Sequence, residues 1–253
     1  MRDPLRLDGR TVIVTGASRG IGADLARKIS ERGGGVVAVA RSADVVRSLV
    51  EELPGPAAAV VGDVADTEVA AESVAAADEI GALWGLVNNA GINPYYHSAI
   101  ETPLSEWDEV LRVNLLGAAA FARAVGRRLV EAGAGGRIIN VGSIAGLTGL
   151  PNIVAYNASK AALDALTQTM AVELGGAGVL VNSVAPGTIA TEMVEDLLRA
   201  NPLLEERLVA KAPLARIGAP EEASWPIFFL LTDAASFITG QTIIVDGGRL
   251  AAG

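Results

Sequence analysis

Short apolar, β-branched runs alternate with stretches of helical period along the whole chain. The runs fall near residues 11–15, 35–40, 57–61, 84–88, 136–141, 179–184 and 242–246. Most are nearly free of polar positions, the pattern of strands covered on both faces. Between them, apolar positions recur at three- and four-residue spacing near 20–31, 43–52, 66–79, 105–131, 154–175 and 220–231, which predicts amphipathic helices. Strictly alternating strands and helices build a parallel sheet through right-handed crossovers. The predicted fold class is therefore α/β, a doubly wound parallel sheet of seven strands with helices on both faces. No linker composition divides residues 1–253, so a single domain is expected. The alternation breaks only at about 187–218, which holds Pro202, Pro213 and the short helical pattern Val194-Glu195-Asp196-Leu197-Leu198. A long interruption beside the carboxyl ends of strands is expected to be a substrate lid.

Two of the runs lead into polar patterns that carry chemistry. After Thr11-Val12-Ile13-Val14 comes Thr15-Gly16-Ala17-Ser18-Arg19-Gly20-Ile21-Gly22, and then a helical pattern. Strand, glycine loop and helix together form a dinucleotide fingerprint. Its glycines let the backbone approach a pyrophosphate, and the helix N-terminus offers unpaired N–H groups. Farther along, Tyr156 and Lys160 stand four residues apart, thirteen residues beyond Ser143. That spacing puts the phenol and the ammonium one turn apart on one helix face. A neighbouring cation favours phenolate, so Lys160 is expected to lower the Tyr156 pKa toward neutrality. The Ser143 hydroxyl can hold a carbonyl oxygen while tyrosine moves the proton.

Composition narrows the partners. Lys and Arg number 20 against 29 Asp and Glu, a net charge of −9 that disfavours a nucleic-acid backbone. The chain has no cysteine, which fits a cytoplasmic protein, and one histidine, His97, so a metal site is not expected. Residues 1–10 are charged and contain Pro4, without the apolar core of a signal peptide, and no run suits a membrane span.

With these motifs in place, the chain resembles the short-chain dehydrogenase/reductase family over nearly its whole length. The resemblance rests on Gly16, Gly20 and Gly22; on Asp63-Val64; on Asn88-Asn89-Ala90-Gly91; on Val113-Asn114; on Ser143, Tyr156 and Lys160; and on Pro186-Gly187 with Thr191. The segments Arg216-x-Gly218-x-Pro220-Glu221-Glu222 and Thr239-Gly240-Gln241 … Val245-Asp246-Gly247-Gly248 look like those of its 3-oxoacyl-[acyl-carrier-protein] reductases. Enoyl reductases of this fold have a wider tyrosine–lysine spacing. The resemblance implies a Rossmann-type sheet and a tetrad of Asn114, Ser143, Tyr156 and Lys160. In that scheme Ser143 and Tyr156 hold the carbonyl oxygen, and Tyr156 donates the proton. Lys160 binds the ribose, and Asn114 holds a water leading from Lys160 toward solvent. It further implies cofactor contacts from Gly16, Ser18, Arg19, Gly20, Ile21, Gly22, Arg41, Asp63, Val64, Asn89, Ala90, Gly91, Pro186, Gly187, Ile189 and Thr191, besides Tyr156 and Lys160.

The cofactor can be read further. In NAD enzymes of this fold an acidic residue closes the second strand and binds the ribose 2′-hydroxyl. Here that strand ends at Ala40-Arg41-Ser42, and Arg19 adds a second cation. Guanidinium groups match a phosphate, so NADP(H) is expected over NAD(H), with NAD(H) possible. Tyr95, Tyr96, His97, Ile144, Leu150, Asn152 and Met193 are the candidate substrate residues. They suggest a medium-sized, partly hydrophobic ketone or alcohol, the alternative being a sugar, polyol or steroid-like alcohol. Two helical patterns, at 105–131 and 154–175, carry apolar residues on more than one face, as in Leu115, Leu116 and Phe121. In the family those helices and the last strand form subunit contacts, which implies a homotetramer.

Overall fold

The computed structural model describes residues 3–200 and 203–252; Pro202 lies outside them. Among the described residues seven strands form one parallel sheet in the order β3-β2-β1-β4-β5-β6-β7. They are β1 (Arg10–Thr15), β2 (Gly35–Ala40), β3 (Ala57–Val61), β4 (Ala82–Asn88), β5 (Gly136–Val141), β6 (Val179–Pro186) and β7 (Thr242–Val245). Strand residues alternate between two apolar layers, as the period of two requires. Val12, Val14, Val36 and Ala38 pack with Leu25, Ile29, Phe228 and Leu231 on one face. Ile13, Val37 and Val39 pack with Leu86, Phe121, Val125 and Ile138 on the other. Both layers are fully shielded at Leu25, Leu86 and Phe121. Each such side chain contributes roughly 1.5–3 kcal/mol by leaving water.

The helices are α1 (Gly20–Glu31), α2 (Ala43–Glu52), α3 (Thr67–Ile80), α4 (Leu104–Leu111), α5 (Ala118–Ala132), α6 (Val154–Leu174), α7 (Glu192–Ala200), α8 (Leu203–Ala210) and α9 (Pro220–Leu231). Two of these regions differ from the periodicity. The helix expected over 105–131 is split by a π-helical turn at Arg112–Gly117, between α4 and α5. Apolar spacing cannot report a change from i→i+4 to i→i+5 bonding. The neighbours of the turn explain it. Asn88 Nδ2 donates to the Ala118 carbonyl at 3.0 Å, and a methyl on Gly117 would lie 2.9 Å from the Val64 carbonyl. π turns recur at functional positions, and this one carries Asn114. The second difference lies in the interruption, which holds two helices, α7 and α8, where the sequence showed one short pattern.

At the amino ends of the strands a charged stack closes the sheet. The Arg10 and Arg137 guanidinium carbons lie 3.8 and 4.8 Å from the Trp84 ring centre. Both arginines reach Asp233, Arg10 at 3.0 Å and Arg137 at 4.0 Å. Burial, reinforced by Arg10, pushes the Arg137 guanidinium pKa down, and Asp233 opposes the shift. At the opposite, carboxyl ends, the chain reverses its direction of travel across the sheet between β1 and β4. A parallel sheet opens a crevice at such a switch point.

Candidate active site

A cleft of about 310 Å³ occupies that crevice. Its first wall is the loop between β1 and α1. Gly16 adopts φ +64 there, a left-handed conformation that favours glycine. Gly22 lets the first turn of α1 settle onto this loop, since a methyl on it would fall 2.4 Å from the Gly16 carbonyl oxygen. The first N–H groups of α1 face the cleft and lack helical acceptors. The loop after β4 is fastened to the same wall. Thr15 Oγ1 accepts from the backbone N–H of Asn89 at 3.0 Å and of Ala90 at 3.1 Å. Asn89 Nδ2 donates to the carbonyls of Thr15 and Gly16 at 2.9 and 3.0 Å.

The opposite wall comes from β5 and α6. Ser143 follows β5, and its Oγ accepts from the Ala145 N–H at 3.1 Å. Tyr156 and Lys160 lie one turn apart on α6, and both face the cleft with Ser143. Lys160 is 4% exposed; its Nζ donates to the Val141 carbonyl at 2.7 Å and lies 5.7 Å from the Tyr156 ring centre. Burial lowers the Lys160 pKa from 10.5 to about 8, and Asp164, one turn farther along α6, opposes the shift. Tyr156 departs from the sequence expectation. Burial pushes its phenol pKa up, the Ser143 hydroxyl pulls it down, and Tyr96 adds to the rise. The expected net lowering by Lys160 is absent, because desolvation of the phenol outweighs the groups that favour its ionised form.

Asn114 lies behind the cleft, 1% exposed. Its Oδ1 accepts from the Ile92 N–H at 2.8 Å, and its Nδ2 donates to the Ile92 carbonyl at 2.9 Å. Nδ2 also donates to Ser159 Oγ at 3.1 Å, and Ser159 Oγ donates to the Tyr156 carbonyl at 2.8 Å. The side chain thus ties the loop after β4 to the turn of α6 that carries the tyrosine. A methyl placed on Gly91 would lie 3.4 Å from both Asn114 Oδ1 and Lys160 Nζ. Both polar atoms therefore approach the same stretch of backbone at Gly91.

The remaining candidates divide by position. Gly16, Ser18, Arg19, Gly20, Ile21, Arg41, Asp63, Val64, Asn89, Ala90, Gly91, Pro186, Gly187, Ile189, Thr191 and Met193 line the cleft. Gly22 does not; it serves the packing of α1. Ala40 ends β2 without a carboxylate, and the exposed Arg41 follows. Arg19 pairs with Glu192 at the start of α7. Asp63 Oδ1 accepts from the Ala65 N–H at 3.0 Å, while its Oδ2 stands 3.6 Å from Arg112. These groups fit a dinucleotide: glycine backbone and a helix N-terminus for the pyrophosphate, a carboxylate for the adenine end, and guanidinium beside the ribose.

Of the candidate substrate residues, Tyr95, His97 and Asn152 gather with Asn93 and Glu106 around a smaller hollow, one wall of which is Tyr156. His97 Nε2 lies 3.2 Å from Glu106 Oε1, and Glu106 Oε2 is buried without a partner. Tyr95 donates to Glu109, and Tyr96 is 43% exposed. Ile144 is a correction: it is 2% exposed, because the short helical turn after Ser143 folds its side chain inward. Leu150 offers its carbonyl to Asn157 Nδ2 at 2.7 Å and lines neither hollow. Sequence reasoning missed Thr15, Ser159, Asp164, Glu106 and Glu192. Short polar residues beside the motifs were the only trace of the first three.

A family model described as enoyl-(acyl carrier protein) reductase matches residues 16–249. The solved gluconate 5-dehydrogenase of Burkholderia cenocepacia, in complex with NADP and tartrate, superposes with a TM-score of 0.92 at 33% identity, covering 98% of each chain. The chain belongs to the short-chain dehydrogenase/reductases. Among curated members of that family, an L-rhamnose 1-dehydrogenase (NAD(P)+) from a Sphingomonas species is 40% identical, over 96% of each chain. A 3-oxoacyl-[acyl-carrier-protein] reductase from Synechocystis is also 40% identical, over 96% of this chain and 98% of its own. This short-chain dehydrogenase/reductase is an NAD(P)(H)-dependent enzyme that transfers a hydride between its cofactor and a ketone or secondary alcohol. Its Tyr156–Lys160 spacing of four suits that chemistry. No described helix is long and apolar enough to cross a membrane.

Proposed function

We propose that the enzyme is an NADP(H)-preferring dehydrogenase of a polyol or sugar, with Asn114, Ser143, Tyr156 and Lys160 as its catalytic tetrad. The observation that carries the chemistry is that Ser143, Tyr156 and Lys160 face the same cleft as the glycine loop. The nicotinamide, when bound, takes or gives the hydride. The Ser143 hydroxyl donates to the substrate oxygen, where charge changes in the transition state. Tyr156 takes the hydroxyl proton during oxidation and returns it during reduction. Lys160 binds the ribose hydroxyls. The approach of Asn114 Oδ1 and Lys160 Nζ to the same glycine, Gly91, supports a proton path from the lysine outward. NADP(H) preference rests on Arg41 and on a β2 end without a carboxylate. NADP in the Burkholderia cenocepacia structure supports it.

The polar wall of Asn93, Tyr95, His97, Glu106 and Asn152 supports a substrate with several hydroxyls. A wall of polar side chains disfavours ligands that cannot pair with it. The sugar substrates in the names of two similar proteins agree. A second reading, a medium-sized and partly hydrophobic ketone, has its own support in Met193, Val194 and Ile189, which line the cleft. Absorbance at 340 nm separates the two, with NADP+ against a polyol and aldose panel and NADPH against ketones and β-ketoesters. Turnover of polyols well above that of simple secondary alcohols is expected. Turnover confined to β-ketoesters would reject the polyol reading.

The same reading extends to assembly. Leu116, in the π turn before α5, and Val172 on α6 are 60% and 85% exposed, and Phe237, Trp225 and Ile244 are exposed around α9 and the edge strand β7. Exposed apolar side chains on these helices and beside an open sheet edge support a homotetramer. A cytoplasmic location and a single domain whose segment 187–218 acts as a lid complete the proposal.

A further inference from the structure

Arg19 has a competitor for its charge. It projects from the glycine loop and pairs with Glu192, the first residue of α7. Both side chains line the cofactor cleft, together with Arg41 and Ser42. A second contact seats the same helix start on the same loop: a methyl on Gly20 would lie 3.2 Å from Thr191 Cγ2. The lid is thus held to the loop by an apolar contact at Thr191 and an ion pair at Glu192. Arg41, by contrast, has no ion pair among the described residues. A 2′-phosphate entering beside Arg41 carries a dianion into reach of Arg19. It meets one guanidinium that is available and another already neutralised by a carboxylate.

We infer that Glu192 is a specificity-determining residue: it competes with the cofactor's 2′-phosphate for Arg19, so NADP binding releases the first turn of α7 from the glycine loop, whereas NAD binding leaves it tied. This inference rests on the NADP-preferring reading above. Its chemistry is one of exchange. The phosphate offers three acceptor oxygens and nearly two negative charges, against the single charge of a carboxylate, and wins Arg19. The carboxylate then stands beside the phosphate as a like charge, which trims the preference for NADP(H). NAD(H) presents a hydroxyl and leaves the ion pair intact. Glu192 therefore narrows the gap between the two cofactors and links the position of the lid to which one is bound.

Isothermal titration of the full-length protein with NADP+ and NAD+ tests the idea in Glu192→Gln, Arg19→Ala, the double variant and Arg41→Ala. Glu192→Gln should tighten NADP+ about two- to fivefold, the range open to an exposed ion pair, and change NAD+ less. In the Arg19→Ala background that gain should shrink to the relief of like-charge repulsion alone. Trypsin cleavage after Arg199 or Arg207 should proceed faster in the NADP+ complex than in the NAD+ complex of the wild type, and equally in both for Glu192→Gln. An unchanged ratio of the two dissociation constants in Glu192→Gln, or weaker NADP+ binding, overturns the inference. If Arg41→Ala shifts the ratio while the other variants do not, the inference alone fails. If no variant shifts it, the 2′-phosphate reading fails with it.

Discussion

The glycine-loop side of the cleft and its substrate-facing side are built to different tolerances. On the first, backbone presses on backbone. A methyl on Gly16 would come within 2.9 Å of Ala90 Cα, and one on Gly22 within 2.4 Å of the Gly16 oxygen. Thr15, Asn89 and Asn114 lock adjacent loops through paired hydrogen bonds. The loops that follow β4 and β5 beyond the cleft are looser: Ile100 and Leu104 are 96% and 79% exposed, and a methyl on Gly149 would meet nothing within 4 Å. The difference teaches how one fold supports many substrates. Hydride transfer needs reacting atoms held to fractions of an ångström, so its residues sit where packing leaves no alternatives. Substrate choice is carried by loops that tolerate change.

Four substitutions probe this contrast. The largest effect is expected from Tyr156→Phe, which should cut turnover by at least about a hundredfold while NADP+ still binds, as calorimetry can show. Wild-type alcohol oxidation should climb with pH as the raised phenol ionises, and the variant should lack that limb. Near-normal turnover in Tyr156→Phe would remove the residue from the proton step.

Lys160→Met should abolish turnover and yet stabilise the protein. The folded-state pKa of Lys160 lies near 8, below 10.5. The unfolded chain therefore binds more protons than the folded one between those values. Stability must rise with pH across that window, and the cost of the buried charge is fully present below about 8. The gain on removing it is on the order of 3 kcal/mol, less the lost Val141 hydrogen bond. Denaturant unfolding at pH 7 and pH 10 checks both points, because the pH slope should flatten in the variant. A destabilised variant with the slope intact would contradict the buried charge.

Gly22→Ala should cost about 1–3 kcal/mol and weaken both cofactors together, since α1 must lift off the loop. Unaltered cofactor affinity would show that the loop yields. Ile100→Ser, on the permissive side, should stay within about 0.5 kcal/mol in stability. A thermal shift of many degrees would show that this loop is held by contacts with another subunit.

The same division governs what could be read from the chain before its structure. Strand periodicity and the glycine loop are local, so the sheet, its parallel sense and the first wall of the cleft were legible. The pairing of Tyr156 with Lys160 was legible because helix pitch alone places them. The π turn at Asn114 was not, since it depends on Asn88 and Val64 from other elements. Nor was the net rise of the Tyr156 pKa, which depends on what surrounds the phenol. Ile144 was misplaced because polarity cannot tell an inward turn from a cleft wall. Glu106 and Glu192 belong to no motif, and their meaning comes only from the partners His97 and Arg19.

The stack of Arg10, Trp84 and Arg137 over Asp233 lies at the end of the sheet remote from all of this chemistry. Two cations share one carboxylate there, and donor atoms of both arginines are buried without partners. A second acidic or acceptor side chain placed in reach would give those donors a partner without touching the carboxyl ends of the strands. The fold thereby separates two properties that changes at an active site usually trade against each other. Robustness can be adjusted at one rim of the sheet while new substrates are explored at the other.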